Sequence, residues 1–333
     1  MPKFRAALLV CGLLACALAP ARANDSSAAI GLGGLVLTRS EAISMDSEDL
    51  YISQNEIRVR YRFTNRSARD VETLVSFPVP SLPDGLGGYL GDQEAPDYRK
   101  LGFRTTVDGQ PVRLEISERA EIAGRDVTQR VAALRWPLRW FVDVSSAVPF
   151  VEGLNAAQKA AYLREGLLRR NPDDAASVIP AWNLITHVTR RQRFPAGRTV
   201  EVFHSYKPYS GGSVAGGLDR GLRKETWFAE KLRRHCIDSA FLAAFDRRIG
   251  NDPARPPVPT EVWVDYILGS GANWRGPIGD FRLVVDKGKA DNLVSFCMDG
   301  VRKISPTQFE VRKRNFEPRG NLHLLIIEFF QPD

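Results

Sequence analysis

The chain has 333 residues, 44% of them hydrophobic and 26% charged, with a formal net charge of +7. Such a length and composition suit one large or two ordinary globular domains and argue against disorder outside a few loops. The basic residues are scattered, apart from short runs such as Arg190-Arg191 and Arg233-Arg234, which argues against a nucleic-acid binder with its concentrated basic patch.

Residues 1–23 read as a cleavable signal peptide. Lys3 and Arg5 start it, Ala6 to Ala19 is apolar, and Ala21-Arg22-Ala23 offers a small-x-small cleavage site after Pro20. The apolar run falls short of the roughly 20 residues that span a bilayer, and no later segment reaches that length, so no transmembrane helix is expected. A second reading takes Leu13-Leu14-Ala15-Cys16 as a lipoprotein box, which anchors the protein at an acylated Cys16. Cleavage after Ala23 removes three basic residues and no acids, so the mature charge is +4 (7 − 3). The expected location is periplasmic or secreted. Two cysteines then remain, Cys236 and Cys297. An even pair in an oxidising compartment, without Cys-x-x-Cys spacing, reads as one disulfide rather than a zinc site.

Residues 24–150 read as a β-sandwich-like part. Ile57, Val59, Tyr61 and Phe63 alternate with Arg58, Arg60, Arg62 and Thr64, which predicts a strand with one buried and one cationic face. After the polar turn Asn65 to Asp70 the alternation resumes from Val71 to Val79, so the two segments read as a hairpin ended by Pro78 and Pro80. The stretch from Ser81 to Tyr98 reads as a surface loop. Asp108-Gly109 predicts a second hairpin, between Leu101–Val107 and Pro111–Ile116. Residues 151–250 are mixed. A helix is expected from Ala156 to Arg169, capped by Asn155, and strands at Trp182–Gln192 and Thr199–Tyr206. Residues 210–217 read as flexible by composition. A further helix runs from a cap at Asp238 to Ile249. Residues 251–259 form a proline-rich linker, and 260–333 a C-terminal β part of five strands, the last of them, Leu322 to Phe330, apolar on both faces as in a covered central strand. The expected fold class is mainly β (α+β), with β-sandwich lobes and a helical insertion.

Three stretches resemble a secreted bacterial family catalogued as domain of unknown function 4424. One runs from Asn24-Asp25-Ser26-Ser27 through Ser47-Glu48-Asp49-Leu50-Tyr51 to Phe77-Pro78-Val79-Pro80. Another holds Phe194-Pro195-Ala196-Gly197 and Val202-Phe203-His204-Ser205-Tyr206. The third runs from Tyr266-Ile267-Leu268 through Gly271-Ala272-Asn273-Trp274-Arg275-Gly276 and Asp280-Phe281 to Ser295-Phe296-Cys297. The resemblance implies an exported protein of undetermined activity and supplies no catalytic residues. The first stretch also looks like the domain at the head of vault and inter-α-trypsin inhibitor proteins, which implies a β-sandwich interaction module.

No Gly-x-Ser-x-Gly, His-Glu-x-x-His or Walker motif is present, so no catalytic residue is assigned. If Phe194 to Gly197 closes a hairpin, Arg193 faces Arg198 and His187 faces His204, their Cβ atoms about 5 Å apart. Such a pair, with Tyr206 on the same strand, is a candidate binding site or a structural contact. It lacks the third ligand that zinc requires, so no metal and no cofactor is expected. Asn273-Trp274 lies on a glycine-rich loop, where an aromatic is either a core anchor or a recognition residue. These observations point to a non-enzymatic binding or assembly module with an envelope protein or glycan as partner. A periplasmic hydrolase of an envelope polymer is the alternative. Convergence of two carboxylates, or of a histidine and a nucleophile, in one cleft discriminates the two.

Overall fold

The alternation at Ile57–Phe63 decides the architecture, because burying one face of a strand requires a second layer. The computed structural model describes residues 26–31, 34–82, 102–140, 149–171, 174, 176–208, 210–214, 217–250 and 256–331. The expected signal peptide and nearly all of the expected loop from Ser81 to Tyr98 lie outside them. Strand accounts for 48% of the structure and helix for 20%, so the protein is mainly β.

With strands numbered in chain order, the largest sheet runs β18 (Arg302–Lys303), β19 (Gln308–Phe316), β16 (Ile278–Asp286), β3 (Ile43–Ser53), β4 (Ile57–Asn65), β13 (Thr199–Tyr206), β6 (Arg104–Val107) and β7 (Gln110–Pro111). Its neighbours are antiparallel except β3 and β16, which are parallel. A six-stranded sheet runs β2 (Gly34–Thr38), β1 (Ser26–Gly31), β5 (Val71–Leu82), β12 (Asn183–Phe194), β8 (Glu115–Ile122) and β9 (Arg125–Asp126). A four-stranded sheet runs β14 (Ser210–Val214), β15 (Val258–Ile267), β20 (Asn321–Phe330) and β17 (Leu293–Ser295), and β10 (Leu168–Arg170) pairs with β11 (Val178–Pro180). The helices are α1 (Thr128–Ala133), α2 (Pro149–Glu152), α3 (Ala156–Glu165), α4 (Phe228–His235) and α5 (Ser239–Gly250).

One core draws on three sheets. Val59, Tyr61 and Phe63 of β4 share it with Phe77 of β5, Val188 of β12, Val264 of β15 and Leu324 of β20. The eight-stranded sheet thus turns its inner face to the other two. The both-sided apolar reading of the last strand holds: Leu322, Leu324 and Ile326 enter this core, while Leu325 and Ile327 enter a second one with Phe228 of α4 and Phe245 of α5. A third cluster packs Val131, Leu167 and Trp182 together with Trp136 and Tyr162. Cys236 at the end of α4 is bonded to Cys297, Cα atoms 5.1 Å apart, over a separation of 61 residues. In the chain-entropy model such a closure stabilises by about 4 kcal/mol.

Several local expectations are corrected. Strands β4 and β5 are not a hairpin: β4 lies between β3 and β13, β5 between β1 and β12, and residues 66–70 carry the chain from one sheet to the other. Phe194 to Gly197 makes the reverse crossing from β12 to β13, so β12 and β13 do not pair and His187 does not face His204. Pro78 and Pro80 do not end β5. Through that stretch the strand stays paired with β12, Pro78 opposite His187 and Val79 opposite Thr186, and runs on to Leu82. Residues 210–214 form an edge strand, with Gly212 so close to β15 that a Cβ there would lie 2.7 Å from the Glu261 carbonyl oxygen. Strand β15 takes in Val258 and Pro259 of the expected linker. Helix α3 has the expected Asn155 cap, reinforced by Gln158, but stops at Gly166 in the left-handed region. The Asp108-Gly109 hairpin forms, both residues at positive φ.

Asn65 joins the two crossings. Its Nδ2 donates to the carbonyls of Arg69 and Phe194, 2.8 Å each, and its Oδ1 accepts from Ser67 N at 2.9 Å and Oγ at 2.7 Å. The residue is fully buried. Replacing it with alanine removes four hydrogen bonds and leaves the buried Phe194 carbonyl without this donor, so Asn65→Ala should lower the unfolding free energy by about 2–4 kcal/mol in urea denaturation. A loss below about 1 kcal/mol, the scale of a single ordinary hydrogen bond, would show that the corner closes without it.

Candidate functional site

All five residues marked as binding candidates are buried. Trp274 packs on Phe63 at 4.7 Å and Phe194 at 5.9 Å between ring centroids. Beside it the Asn273 carbonyl accepts from Ser40 N. The indole plugs the corner beside Asn65 and offers no exposed face to a partner. His204 sits in an aromatic box of Tyr61, Phe77 and Phe103, centroids 5.3–5.8 Å away, with Nδ1 2.7 Å from Thr105 Oγ1. Tyr206 stacks on Phe103 at 4.8 Å, and burial pushes its hydroxyl far above the usual range. His187 lies in the other sheet, Nδ1 2.9 Å from Ser76 Oγ, while its Nε2 has no hydrogen-bond partner among the described residues. Burial, with the charge of Arg119 nearby, lowers its pKa to about 4. Burial also lowers His235 to about 4. His323 Nδ1 meets Asp265 Oδ1 at 2.7 Å, and Arg234 reaches the same carboxylate at 3.2 Å. No group of three or more His, Cys, Asp or Glu able to hold a metal occurs among the described residues.

Side chains converge instead on the outer face of the eight-stranded sheet. Alternation turns Arg58, Arg60 and Arg62 of β4 away from the core. Cross-strand register then sets two rows. One runs Arg60, Asp49, Arg282, Arg312 and the other Arg62, Ser47, Asp280, Arg314, across β4, β3, β16 and β19. Arg60 and Arg62 form one wall and Arg312 and Arg314 the other, three strand spacings or about 14 Å apart. Between them lies a groove of about 700 Å³, also lined by Glu48, Phe281 and Lys313. That volume falls within the range of about 300–1,000 Å³ usual for ligand sites. Its lining carries six cations and three carboxylates. A bulge in β3 lies between Met45 and Ser47, and β16 passes it closely: a Cβ at Gly279 would lie 2.5 Å from the Asp46 carbonyl oxygen.

Carboxylates hold the guanidinium groups in place. Glu310 is central. It accepts from Arg282 Nε at 2.8 Å and pairs with Arg302 at 2.9 Å and Arg312 at 3.1 Å. Hydrogen bonds from Arg312 and Arg282 pull its pKa down to about 2 against an ordinary 4.5. Arg282 also reaches Asp49 at 3.1 Å. Arg60 pairs with Glu201 at 3.0 Å and lies over the Phe203 ring at 5.7 Å, while Arg58 lies over Tyr51 at 4.3 Å. Arg62 has no ion-pair partner among the described residues. The cationic side of β4 was legible in its alternation. Arg282, Glu310, Arg312 and Arg314 were missed, because only the long-range pairing of β16 with β3 brings them to the same face.

A family model described as "Domain of unknown function (DUF4424)" matches residues 23–325. A search of curated proteins finds no match. Among solved structures, a "putative nutrient binding protein" from Legionella pneumophila aligns at 14% identity, covering 87% of this chain and 68% of its own, with a TM-score of 0.41. A two-domain M1 zinc metallopeptidase bound to L-tryptophan aligns at 10% identity over 87% of this chain and 44% of its own, with a TM-score of 0.25. Neither likeness is close enough to speak to function.

The Glu310 pairing has a pH signature. Because its folded pKa lies below the ordinary value, its contribution is complete above about pH 4.5 and is lost as pH falls toward 2. Glu310→Gln should therefore cost roughly 1–3 kcal/mol at pH 7, and the gap to the natural chain should shrink steadily below pH 4.5. Urea denaturation of both proteins at pH 7 and pH 3 checks this, and an unchanged gap at pH 3 would contradict it.

Proposed function

The chain belongs to the family described as domain of unknown function 4424, and we propose that it is exported and then works in the cell envelope as a non-enzymatic binding module for anionic ligands. Export rests on the three-zone N-terminus and on the Cys236–Cys297 bond, which suits an oxidising compartment. Binding rests on one observation, the gathering of arginines from three strands around an open groove on the outer face of the sheet.

A hydrolase of an envelope polymer is the competing reading, and Asp49 and Asp280 in the groove are its best support. Their positions are diagonal across β3 and β16, a spacing of about 7–8 Å, which is within the range of paired glycosidase carboxylates. Yet both are exposed, 52% and 71%, and both face guanidinium groups, Arg282 and Arg314. A general acid needs a carboxyl shielded from water, and this groove offers a charged surface.

Two measurements test the reading. Mass spectrometry of the exported protein should give an N-terminus at Asn24; a lipid-modified Cys16 would make it membrane-anchored. The purified mature protein should be retained by isolated envelope fractions and released by salt, since exposed charges are screened within about 10 Å at 0.1 M. Arg62→Glu with Arg314→Glu should abolish retention, whereas Arg164→Glu with Arg169→Glu, an equal charge change elsewhere, should not. Retention that ignores both salt and the groove substitutions would overturn the proposal.

A further inference from the structure

The charges in the groove are mixed, and the mixture narrows the ligand. The walls are cationic, with Arg60 and Arg62 on one side and Arg312 and Arg314 on the other. Within each wall the two arginines stand two residues apart along a strand, about 7 Å. The floor is different. It is made of Ser47, Asp49, Asp280 and Arg282, with both carboxylates open to water and each within reach of one arginine. Glu201 stands beside Arg60 at the outer rim.

Each component recognises a particular group. Guanidinium groups fit carboxylates, with two parallel hydrogen bonds. Aspartate and serine oxygens accept hydrogen bonds from hydroxyls. A ligand that uses both must carry carboxylates at intervals, with hydroxyls between. Resting on the reading that this groove is a binding surface, we infer that its ligand is a linear acidic glycan, a chain of sugar rings bearing carboxylate groups.

The alternatives fit less well. A nucleic acid carries a phosphate at every step, and it would set those charges against Asp49, Asp280 and Glu201. Like charges brought together are repelled. Arg282 and Arg312 are moreover committed to Glu310, and neutralising a phosphate backbone depends on cations free to replace its counterions. A neutral glycan would bring no anion to Arg62, the wall arginine without an ion-pair partner among the described residues, while Arg60, Arg312 and Arg314 already have Glu201, Glu310 and Asp280. The tethering through Glu310 serves the glycan reading, since side chains already held in place lose less freedom on binding.

Isothermal titration of the full mature protein decides the matter, with three probes at one ionic strength. They are a hexameric oligogalacturonate, a neutral hexasaccharide and a single-stranded hexanucleotide. The oligogalacturonate should bind at least about tenfold more tightly than either of the others. Arg62→Ala, at an exposed position that leaves the fold intact by circular dichroism, should weaken it about tenfold. Asp49→Asn with Asp280→Asn should weaken the glycan and strengthen the oligonucleotide. Tighter binding of the oligonucleotide would overturn the glycan assignment and leave the anion-binding groove standing, whereas equal binding of the neutral sugar would overturn both. Binding of none of the probes, together with loss of salt-sensitive envelope retention, would sink both. Shortening of the oligogalacturonate during titration would replace the binding module with a hydrolase.

Discussion

The structure turns on the side chain of Asn65. The chain leaves the eight-stranded sheet just after it and returns just after Phe194, and Asn65 bonds the backbone at both departures. Asp70 repeats the tie one step outward. It accepts from Ala196 N at 2.8 Å and is paired with Arg193. Trp274 then fills the space behind, against Phe63 and Phe194, and Arg275 N donates to the carbonyl of Ile43 at 2.8 Å. Without such bonding the carbonyl of buried Phe194 would lose its partner at the place where the sheets meet. With it, the two sheets have one relative position, and the direction in which every residue of β4 points is decided.

That decision produces the outer face. If Val59, Tyr61 and Phe63 point into the core, Arg58, Arg60 and Arg62 point out. The parallel insertion of β16 beside β3 extends the surface by two strands and brings Arg282, Arg312 and Arg314 within reach of Asp49, Asp280 and Glu310. Isolated surface ion pairs add little stability. The Glu310 cluster differs because the carboxylate is nearly buried and shared by three arginines, so each pairing reduces the freedom that the next must lose.

Local signals in the sequence carried the elements and failed at their assembly. The alternation at Ile57–Phe63, the Asp108-Gly109 turn, the Asn155 cap and the doubly apolar last strand all depend on neighbours in sequence, and all are present in the structure. The β4–β5 hairpin failed for a physical reason. A short polar turn between two alternating segments suits a hairpin and a sheet-to-sheet corner equally well, and the choice lies with Phe194, more than a hundred residues away. The same ambiguity at Pro195 led to a facing pair, His187 and His204, that belong to different sheets. Trp274 was visible as a residue of consequence, but its partners, Phe63 and Phe194, are distant in sequence, so anchoring and recognition could not be told apart.

The buried histidines and the exposed arginines divide the polar groups of the protein by role. His187 and His235 are held neutral by burial, and His204 is enclosed by aromatic rings. Each of the three hydrogen-bonds to an uncharged neighbour: Ser76, the His323 carbonyl and Thr105. An imidazole in that condition contributes packing and a hydrogen bond, and solvent does not reach it to deliver a substrate or remove a proton. The arginines are the reverse case. Their stems lie along the sheet while their heads remain in water, where a charged partner has access. Had the groove been lined by cations alone, mutual repulsion would splay them and any polyanion would be attracted. The interleaved carboxylates counter both effects, because they fix the positions of the cations and repel a ligand whose charges are too closely spaced. On the proposed reading, selectivity on this face follows from the spacing of opposite charges, and that spacing is set by the register of four strands.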